Sequence, residues 1–333
     1  MCRGAERGRR RHAATLVELL VVVAILAAIV ALVLMGIQGA REAARRIVCA
    51  SNVRQLGLAT AGYEQARREY PPGVRQWYFN AAVSHRGVPL FAWLLPHMDG
   101  AALLVRWDRN DPLNNVTRGR ESPAAVVLPE LVCPSDTLPR NPVTVQPRGW
   151  TYALTSYGGN GGTRPHFAPR ATVDGMFHTV GEASEPLRNQ LPVRNRDVTD
   201  GLSQTLLFGE RSHVDPAYAT FTDLAWGDPL DQQGWWGASA SRKMAGHVML
   251  GSWGGINERL GFTIDGRFGR DPPADTFAAF QEHAERRLTA YGSGHIRGVN
   301  ACFADGRVVF LGDDTDAAVF RDAATRTGGV AAR

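Results

Sequence analysis

The feature that most constrains this chain is an apolar run near its N-terminus that opens with a carboxylate. Residues 19–35 are 17 consecutive apolar residues. At about 1.5 Å rise per residue, a helix of this length spans roughly 25 Å, just enough to cross a thin bilayer. Glu18 stands immediately before the run. A carboxylate in a spanning helix costs about 2.5–3.5 kcal/mol at the bilayer centre, and less near an end, so such groups usually have a partner.

The charge of the chain is concentrated ahead of this run. Residues 1–13 contain five arginines and one glutamate, a local charge of +4 within a net charge of +5 for the whole chain. The remaining sequence is close to neutral, which excludes the basic surface that nucleic-acid binding requires. Arginines before an apolar segment keep the N-terminus cytoplasmic, so the pattern predicts a single-pass membrane protein with an exported C-terminal part. A cleaved secretory signal and a simple anchor helix are the alternatives.

Residues 13–18 read Ala-Ala-Thr-Leu-Val-Glu and lead directly into the hydrophobic helix. This segment resembles the prepilin signal of type IV pilins and type II secretion pseudopilins, whose pattern is Gly-Phe-Thr-Leu-Ile-Glu. Here Ala13 and Ala14 replace the Gly and the Phe. The resemblance implies that a prepilin peptidase cuts between Ala13 and Ala14 and methylates the new N-terminus. In such filaments the equivalent of Glu18 pairs with the terminal amine of a neighbouring subunit, so the partner of the carboxylate arrives with assembly.

The helix is expected to continue well beyond the apolar run. No proline lies between residues 12 and 70, and Pro71-Pro72-Gly73 then ends the helix. We therefore predict one long helix over residues 15–69, with a break near Gly36–Gly39 as the alternative. Apolar and small residues recur at spacings of three and four, which predicts one buried face on the second half of the helix. This face comprises Ala40, Ala43, Ile47, Ala50, Val53, Leu56, Ala59, Tyr63, Ala66 and Tyr70.

From Val74 onward, short apolar runs alternate with turn residues, a pattern typical of a β-rich domain. The predicted fold class is α+β, with a long N-terminal helix whose first half spans the membrane and whose second half packs on the domain. The predicted organisation is a leader over residues 1–13, the helix over 14–70 and an exported domain over 71–333.

A hairpin within residues 298–312 is the clearest β element. Asp305-Gly306 separates two β-rich runs and predicts a two-residue type I′ turn. Such a turn places Phe303 opposite Val308 and Ala301 opposite Phe310.

Several segments together resemble a large family of bacterial prepilin-like proteins of unknown function. Its members share a C-terminal His-x9-Asp-Gly motif, and here His295 is followed by nine residues and then by Asp305-Gly306. The other matching segments occur in the same order along the chain and cover residues 41–59, 70–73, 128–136, 155–163 and 197–210. The resemblance implies architecture and location rather than an activity.

Two of the four cysteines, Cys49 and Cys133, lie in segments that match this family. The resemblance favours a disulfide between them that ties the long helix to the domain, with two buried free thiols as the alternative. The sequence contains no C-x-x-C pair, so no zinc site is expected.

The signature residues are His295, Asn300, Asp305 and Gly306. We interpret Asp305-Gly306 as a turn, and His295 and Asn300 as side chains that hydrogen-bond the backbone near a strand. A ligand-binding or acid–base role is the alternative. Glu210 is expected to form a buried salt bridge or to cap the backbone. No nucleophile motif accompanies these residues, so the protein is predicted not to be an enzyme.

An acidic cluster of Asp313, Asp314 and Asp316 follows the hairpin. Its spacing does not match an EF-hand loop, and capping of the next helix is the favoured interpretation. Calcium binding is the alternative, and no other cofactor is expected.

These observations predict a prepilin-like membrane protein that is built into a type IV pilus or a type II secretion pseudopilus. Its expected partners are a prepilin peptidase, other pilin-like subunits and the inner membrane. The second hypothesis is a helix-anchored module on the cell surface or in the periplasm that binds a solute, a glycan or a partner protein. Retention of residues 1–13 in the mature chain would favour the second hypothesis.

Overall fold

The computed structural model of the protein describes residues 16–79, 83–98, 100–166, 170–181, 190–215, 218, 230–240, 243–258 and 284–328. The chain divides into two compact units, residues 1–44 and residues 45–333. A long N-terminal helix is followed by a β-rich domain with mixed sheets, which confirms the predicted α+β class. The α-helices with both ends inside the described residues are α1 (Leu16–Arg67), α2 (Leu90–Leu94), α3 (Ala101–Arg106), α4 (Met244–Val248) and α5 (Ala317–Ala324).

Helix α1 is continuous from Leu16 to Arg67, so the alternative with a break at Gly36–Gly39 is wrong. The helix ends where Arg68 adopts a left-handed conformation, with φ of 60°. The amide of Arg68 donates to the carbonyl oxygen of Glu64 at 2.6 Å, which satisfies one of the last free carbonyls of the helix.

The first part of α1 is exposed on all sides. Over residues 16–35 each side chain is exposed, and the large apolar side chains have exposed fractions of 49–78%. Within the described part of the chain, α1 is the helix that is long and apolar enough to cross a membrane. A signal sequence near an N-terminus meets the same criterion.

The strands form three sheets. The strand bounds are β1 (Val74–Phe79), β2 (Val83–Pro89), β3 (Val143–Val145), β4 (Trp150–Tyr152), β5 (Tyr157–Asn160), β6 (Thr179–Val180), β7 (Leu206–Glu210), β8 (Met249–Leu250), β9 (Gly298–Phe303) and β10 (Val308–Gly312). The largest sheet has five strands in the order β10-β9-β7-β5-β8, a second has the order β2-β1-β6, and β3 pairs with β4. The β5–β8 and β1–β6 pairs are parallel and the others are antiparallel.

Strand β9 is buried on both faces of the five-stranded sheet. Its alternating side chains Val299, Ala301 and Phe303 enter one hydrophobic cluster together with Phe320 of α5. Cys302 points the other way and joins the cluster that contains the second half of α1. The sheet is therefore covered by α5 on one face and by residues 45–67 of α1 on the other.

The contact between α1 and β9 requires a glycine on the helix. A Cβ atom at Gly57 would lie 2.7 Å from the Sγ atom of Cys302, closer than van der Waals contact allows. This close approach accounts for a glycine in a helix interior, where it costs about 1 kcal/mol relative to alanine.

The buried face of α1 differs in part from the predicted one. Val53, Leu56 and Tyr63 are buried as predicted, whereas Ile47 is 70% exposed. The polar residues Asn52 and Thr60 occupy buried positions instead. Asn52 can be buried because its amide donates to the Val132 carbonyl and to the Tyr157 hydroxyl, partners that hydrophobic periodicity cannot reveal.

The register of the β9–β10 hairpin corrects the prediction. Val308 pairs with Cys302 and Phe310 pairs with Asn300, a shift of one residue from the predicted pairs. The loop has three residues, because the Phe303 amide donates to the Arg307 carbonyl and the Gly306 amide donates to the Phe303 carbonyl. Gly306 has φ of 86°, and Asp305 is not among the residues with positive φ, which a type I′ turn would require. Two-residue and three-residue loops both use Asp-Gly, so the dipeptide alone did not fix the register.

We predict that Gly306→Ala destabilises the protein by about 1–2 kcal/mol, because an L side chain in the left-handed region is strained even where space is open. No atom lies within 4 Å of a Cβ built at Gly306, so backbone strain is the only expected cost. Urea unfolding of the full-length chain, followed by tryptophan fluorescence, measures the change.

The matched control is Gly255→Ala. A Cβ atom there would lie 3.8 Å from the Cβ of Glu258, an ordinary contact, and the backbone does not adopt positive φ. We expect the control to be neutral or slightly stabilising. An equal loss of stability in Gly306→Ala and Gly255→Ala would contradict the assignment of the turn.

Candidate functional site

A disulfide joins α1 to the β-rich domain. Cys49 on α1 bonds to Cys133, which follows a 3-10 turn at Pro129–Leu131, and the two Cα atoms are 5.3 Å apart. Both cysteines are buried. The bond links residues that are 84 positions apart in the sequence. In the chain-entropy account, closure of such a loop contributes about 4–5 kcal/mol to stability.

His295 and Glu210 lie directly against this disulfide. The Nε2 atom of His295 is 3.4 Å from the Sγ atom of Cys133 and 3.3 Å from the Oε1 atom of Glu210. The side chains of His295 and Glu210 are 1% and 0% exposed. The topology explains this meeting, because β7 ends at Glu210 beside β9, and His295 lies in the loop that enters β9.

The carboxylate of Glu210 is held by Asn300 on the adjacent strand. The backbone amide of Asn300 donates to Oε2 at 2.6 Å, and its side-chain amide donates to Oε1 at 3.1 Å. Bonds of this kind compensate for the desolvation of a buried carboxylate. Burial, together with the charge of Glu210, raises the pKa of the nearby Tyr157 hydroxyl.

The loop that carries His295 is fixed by Ser293. The Ser293 hydroxyl donates to the Gly298 carbonyl oxygen at 2.6 Å and accepts from the backbone amide of His295 at 3.0 Å. These two bonds fix the backbone of the loop that carries His295 into β9. In the described part of the chain, Cys49, Cys133, Glu210 and His295 form a group whose potential ligand atoms all lie within 4.8 Å of one another.

A second buried charge cluster surrounds Asp136, three residues after Cys133. The Nδ1 atom of His213 is 2.6 Å from Asp136 Oδ2, and the Ser156 hydroxyl donates to the same oxygen at 2.7 Å. Burial alone would raise the pKa of Asp136. The charge and hydrogen bonds of His213, with the Ser156 hydroxyl, outweigh burial and hold that pKa below its usual range.

The Ser156, His213 and Asp136 side chains do not form a nucleophile–base arrangement. Ser156 donates to the carboxylate rather than to the imidazole. The other imidazole nitrogen, Nε2, lies 2.9 Å from the carbonyl oxygen of Gln233. Both nitrogens of His213 therefore face hydrogen-bond acceptors, and neither is placed to take a proton from the Ser156 hydroxyl. This arrangement supports a structural ion pair rather than activation of a serine hydroxyl.

Buried arginines complete the polar interior near this pair. The Nε atom of Arg287 donates to the Oδ2 atom of Asp215 at 3.0 Å, and these two side chains are 6% and 0% exposed. Arg211 donates to the carbonyl oxygens of Gly246 and Met249. Burial, with a smaller effect from the neighbouring Arg287, lowers the pKa of Arg211 to about 9.

A family model described as "Protein of unknown function (DUF1559)" matches residues 38–318. The chain belongs to this family. The match contains the two half-cystines, the Asp136 cluster and the whole His-x9-Asp-Gly motif, and it begins after the apolar run at residues 19–35. Neither the curated proteins nor the solved structures contain a match to the chain.

In this DUF1559 protein, the motif residues lie in two separate places, one at each end of β9. His295 lies before β9 at the disulfide, and Asn300 in the strand supports Glu210. Asp305 lies beyond the other end of β9, where its carboxylate accepts from the Arg307 amide at 2.9 Å and Gly306 completes the turn. The motif thus marks the two ends of one central strand, and its histidine and aspartate do not meet.

The remaining predicted site residues lie elsewhere. Ala13 and Ala14 fall outside the described residues, and Glu18 lies exposed in the first turn of α1. Asp316 caps α5, since its Oδ1 atom accepts from the amides of Ala318 and Val319 at 2.8 and 3.1 Å. Asp313 lies 3.9 Å from Arg297, and Asp314 is exposed.

The residues around the disulfide could be identified from the sequence, but the pair of Asp136 and His213 could not. Asp136 ends the segment 128–136 that matches the family, and His213 follows Glu210 by three residues. The available signal was a histidine placed directly after a buried strand. Its partner lies 77 residues away along the chain, so spacing could not identify the pair.

We predict that Asp136→Asn lowers the free energy of unfolding by about 3–5 kcal/mol at pH 7, because it leaves the buried imidazole without its carboxylate. The pKa of Asp136 is depressed in the folded state. The contribution of Asp136 to stability is therefore complete above its unfolded-state pKa of about 3.9. It is lost as the pH falls through the folded-state pKa of Asp136. The difference between wild type and variant should narrow below about pH 4.

Urea unfolding at a series of pH values measures this difference. The control is Asp314→Asn, at an exposed carboxylate, which should change stability by less than about 0.5 kcal/mol. A difference in the free energy of unfolding between wild type and Asp136→Asn that does not depend on pH would contradict the assigned ion pair.

Proposed function

We propose that this DUF1559 protein is a prepilin-like membrane protein that is processed by a prepilin peptidase and assembled into, or associated with, a type IV pilus or a type II secretion pseudopilus. Its partners are the peptidase, other pilin-like subunits and the inner membrane. Its role is structural, and no step in it requires catalysis by this chain.

The observation that carries the proposal is the exposed first part of α1. Residues 16–35 present large apolar side chains around the whole circumference of a helix. Such a surface is stable in a bilayer or among other apolar helices, and not in water. The five arginines within residues 1–13 favour a cytoplasmic N-terminus. A filament of α1 helices would cover this surface after the chain leaves the bilayer.

Glu18 distinguishes a prepilin from a simple anchor. It lies in the first turn of α1, one residue before the apolar run. A carboxylate at this depth favours a cationic partner, and cleavage after Ala13 would create an amine four residues away on Ala14. In an assembly, the amine of one subunit would neutralise the carboxylate of the next.

The second candidate function is a helix-anchored binding module, and one observation favours it. A cavity of about 590 Å³ opens between the β9–β10 hairpin and α5. Its size is within the range of small-molecule sites, and its walls combine apolar and charged side chains. The walls include Phe303, Leu311, Val319, Phe320, Asp200, Asp322 and Arg307.

The mature N-terminus decides between these functions, and mass spectrometry of membrane and surface fractions measures it. We expect a chain that begins at N-methylated Ala14. We also expect that Glu18→Val keeps the membrane form but largely loses the surface form, because the subunit-to-subunit ion pair is removed. Glu42→Val, on the same helix but outside the apolar run, is the matched control and should retain the surface form.

Each other outcome has a definite meaning. A chain that retains residues 1–13 would overturn the prepilin proposal and leave the anchored binding module. A cut near residue 40 would indicate an ordinary signal peptide and a released domain.

A further inference from the structure

We propose that the dithiol form of this protein binds one Zn²⁺ ion through Cys49 Sγ, Cys133 Sγ, His295 Nε2 and a carboxylate oxygen of Glu210. The disulfide and the zinc complex would be two alternative states of the same buried site. This inference is independent of filament assembly and of the leader. The sequence has no C-x-x-C pair, so it predicted no zinc site. The fold supplies the ligands from four distant segments instead.

Two of the distances between the donor atoms match the edges of a tetrahedral zinc site. Zinc bonds of about 2.3 Å to sulfur and 2.0–2.2 Å to nitrogen or oxygen give tetrahedral edges of roughly 3.3–3.8 Å. The edge from Cys133 Sγ to His295 Nε2 is 3.4 Å, and the edge from His295 Nε2 to Glu210 Oε1 is 3.3 Å. All four donor atoms lie within 4.8 Å of one another. The two bonded sulfur atoms must separate for zinc to bind, which reduction permits.

The donor set and its surroundings also suit zinc. Two thiolates, one imidazole and one carboxylate are all ligands that zinc accepts. One ligand, Glu210, is already oriented by hydrogen bonds to its carboxylate, the arrangement that tunes metal affinity. Asn300 holds the Glu210 carboxylate, and the Ser293 hydroxyl holds the backbone of His295. All four ligand residues are at most 5% exposed, which excludes competing water.

The two states are connected by thiol–disulfide exchange with a dithiol reductant. One thiolate of the reductant attacks a sulfur atom of the Cys49–Cys133 bond, and its second thiol then releases the protein as two thiols. The reductant becomes a disulfide, so two electrons and two protons pass to the protein. Binding of Zn²⁺ then displaces the two thiol protons to solvent. The metal would replace the covalent bond as the link between α1 and the domain.

The test compares two redox states of the full-length chain in detergent. Oxidised and anaerobically reduced samples are incubated with Zn²⁺ and desalted, and bound zinc is measured by inductively coupled plasma mass spectrometry. We expect about one zinc ion per reduced chain and close to none per oxidised chain. Co²⁺ in place of Zn²⁺ should give the thiolate charge-transfer band and the intense visible bands of a tetrahedral site.

Matched variants separate the ligands from other groups of the same type. His295→Ala and Glu210→Gln should each weaken zinc binding to the reduced chain by at least about 10-fold. Cys302→Ala and Glu258→Gln are the controls and should leave it unchanged. Cys302 is a buried free thiol. Burial raises its pKa to about 12, so it does not readily form the thiolate that binds zinc.

Three results would overturn the proposal. The first is a reduced chain that holds no more zinc than the oxidised chain. The second is equal loss of zinc in the Cys302→Ala control. The third is a reduced chain that unfolds, as judged by circular dichroism, and does not regain its structure when zinc is added. The comparison within the wild-type chain decides the question even if a ligand variant fails to fold.

Discussion

The link between α1 and the five-stranded sheet is the constraint on which the rest of the domain depends. The Cys49–Cys133 bond joins the helix covalently to the loop that contains Cys133. The bond lies beside Glu210 at the end of β7 and His295 at the entry to β9, so one buried site connects the helix, the loop and two central strands. The close packing of Gly57 on Cys302 extends the same contact along the helix.

Burial of charged side chains in this interior is energetically unfavourable, and each described charge has specific hydrogen-bonding or ionic partners. Glu210 receives two hydrogen bonds from Asn300, Asp136 is bonded by His213 and Ser156, and Asp215 is paired with Arg287. Loss of one partner from such a pair leaves a buried charge without compensation, which costs more than the pair contributes. These residues therefore specify one arrangement of the loops around the sheet, in addition to whatever stability they supply.

The same interior explains why the DUF1559 motif joins residues of such different chemistry. His295 and Asp305 are separated by the length of β9, and each defines how the chain enters or leaves that strand. A strand buried on both faces tolerates no slip in register, because a slip of one residue would exchange Cys302 and Ala301 between the two hydrophobic clusters. The motif is thus consistent with a strand that must be fixed at both ends.

Local patterns predict the long proline-free helix, its apolar first part, the α+β class and the position of the last hairpin. These features follow from periodicity, from proline and glycine positions and from charge placement, all of which are local along the chain. The pairing of Cys49 with Cys133 was instead implied by the family resemblance. The three-residue loop, the register of the hairpin, the burial of Asn52 and the exposure of Ile47 appear only in the folded protein. The tertiary structure alone brought His295, Glu210 and the two cysteines to one point, and Asp136 to His213. Those contacts join residues that are 77 or more positions apart, or depend on which face of α1 meets the sheet, and no local pattern encodes either.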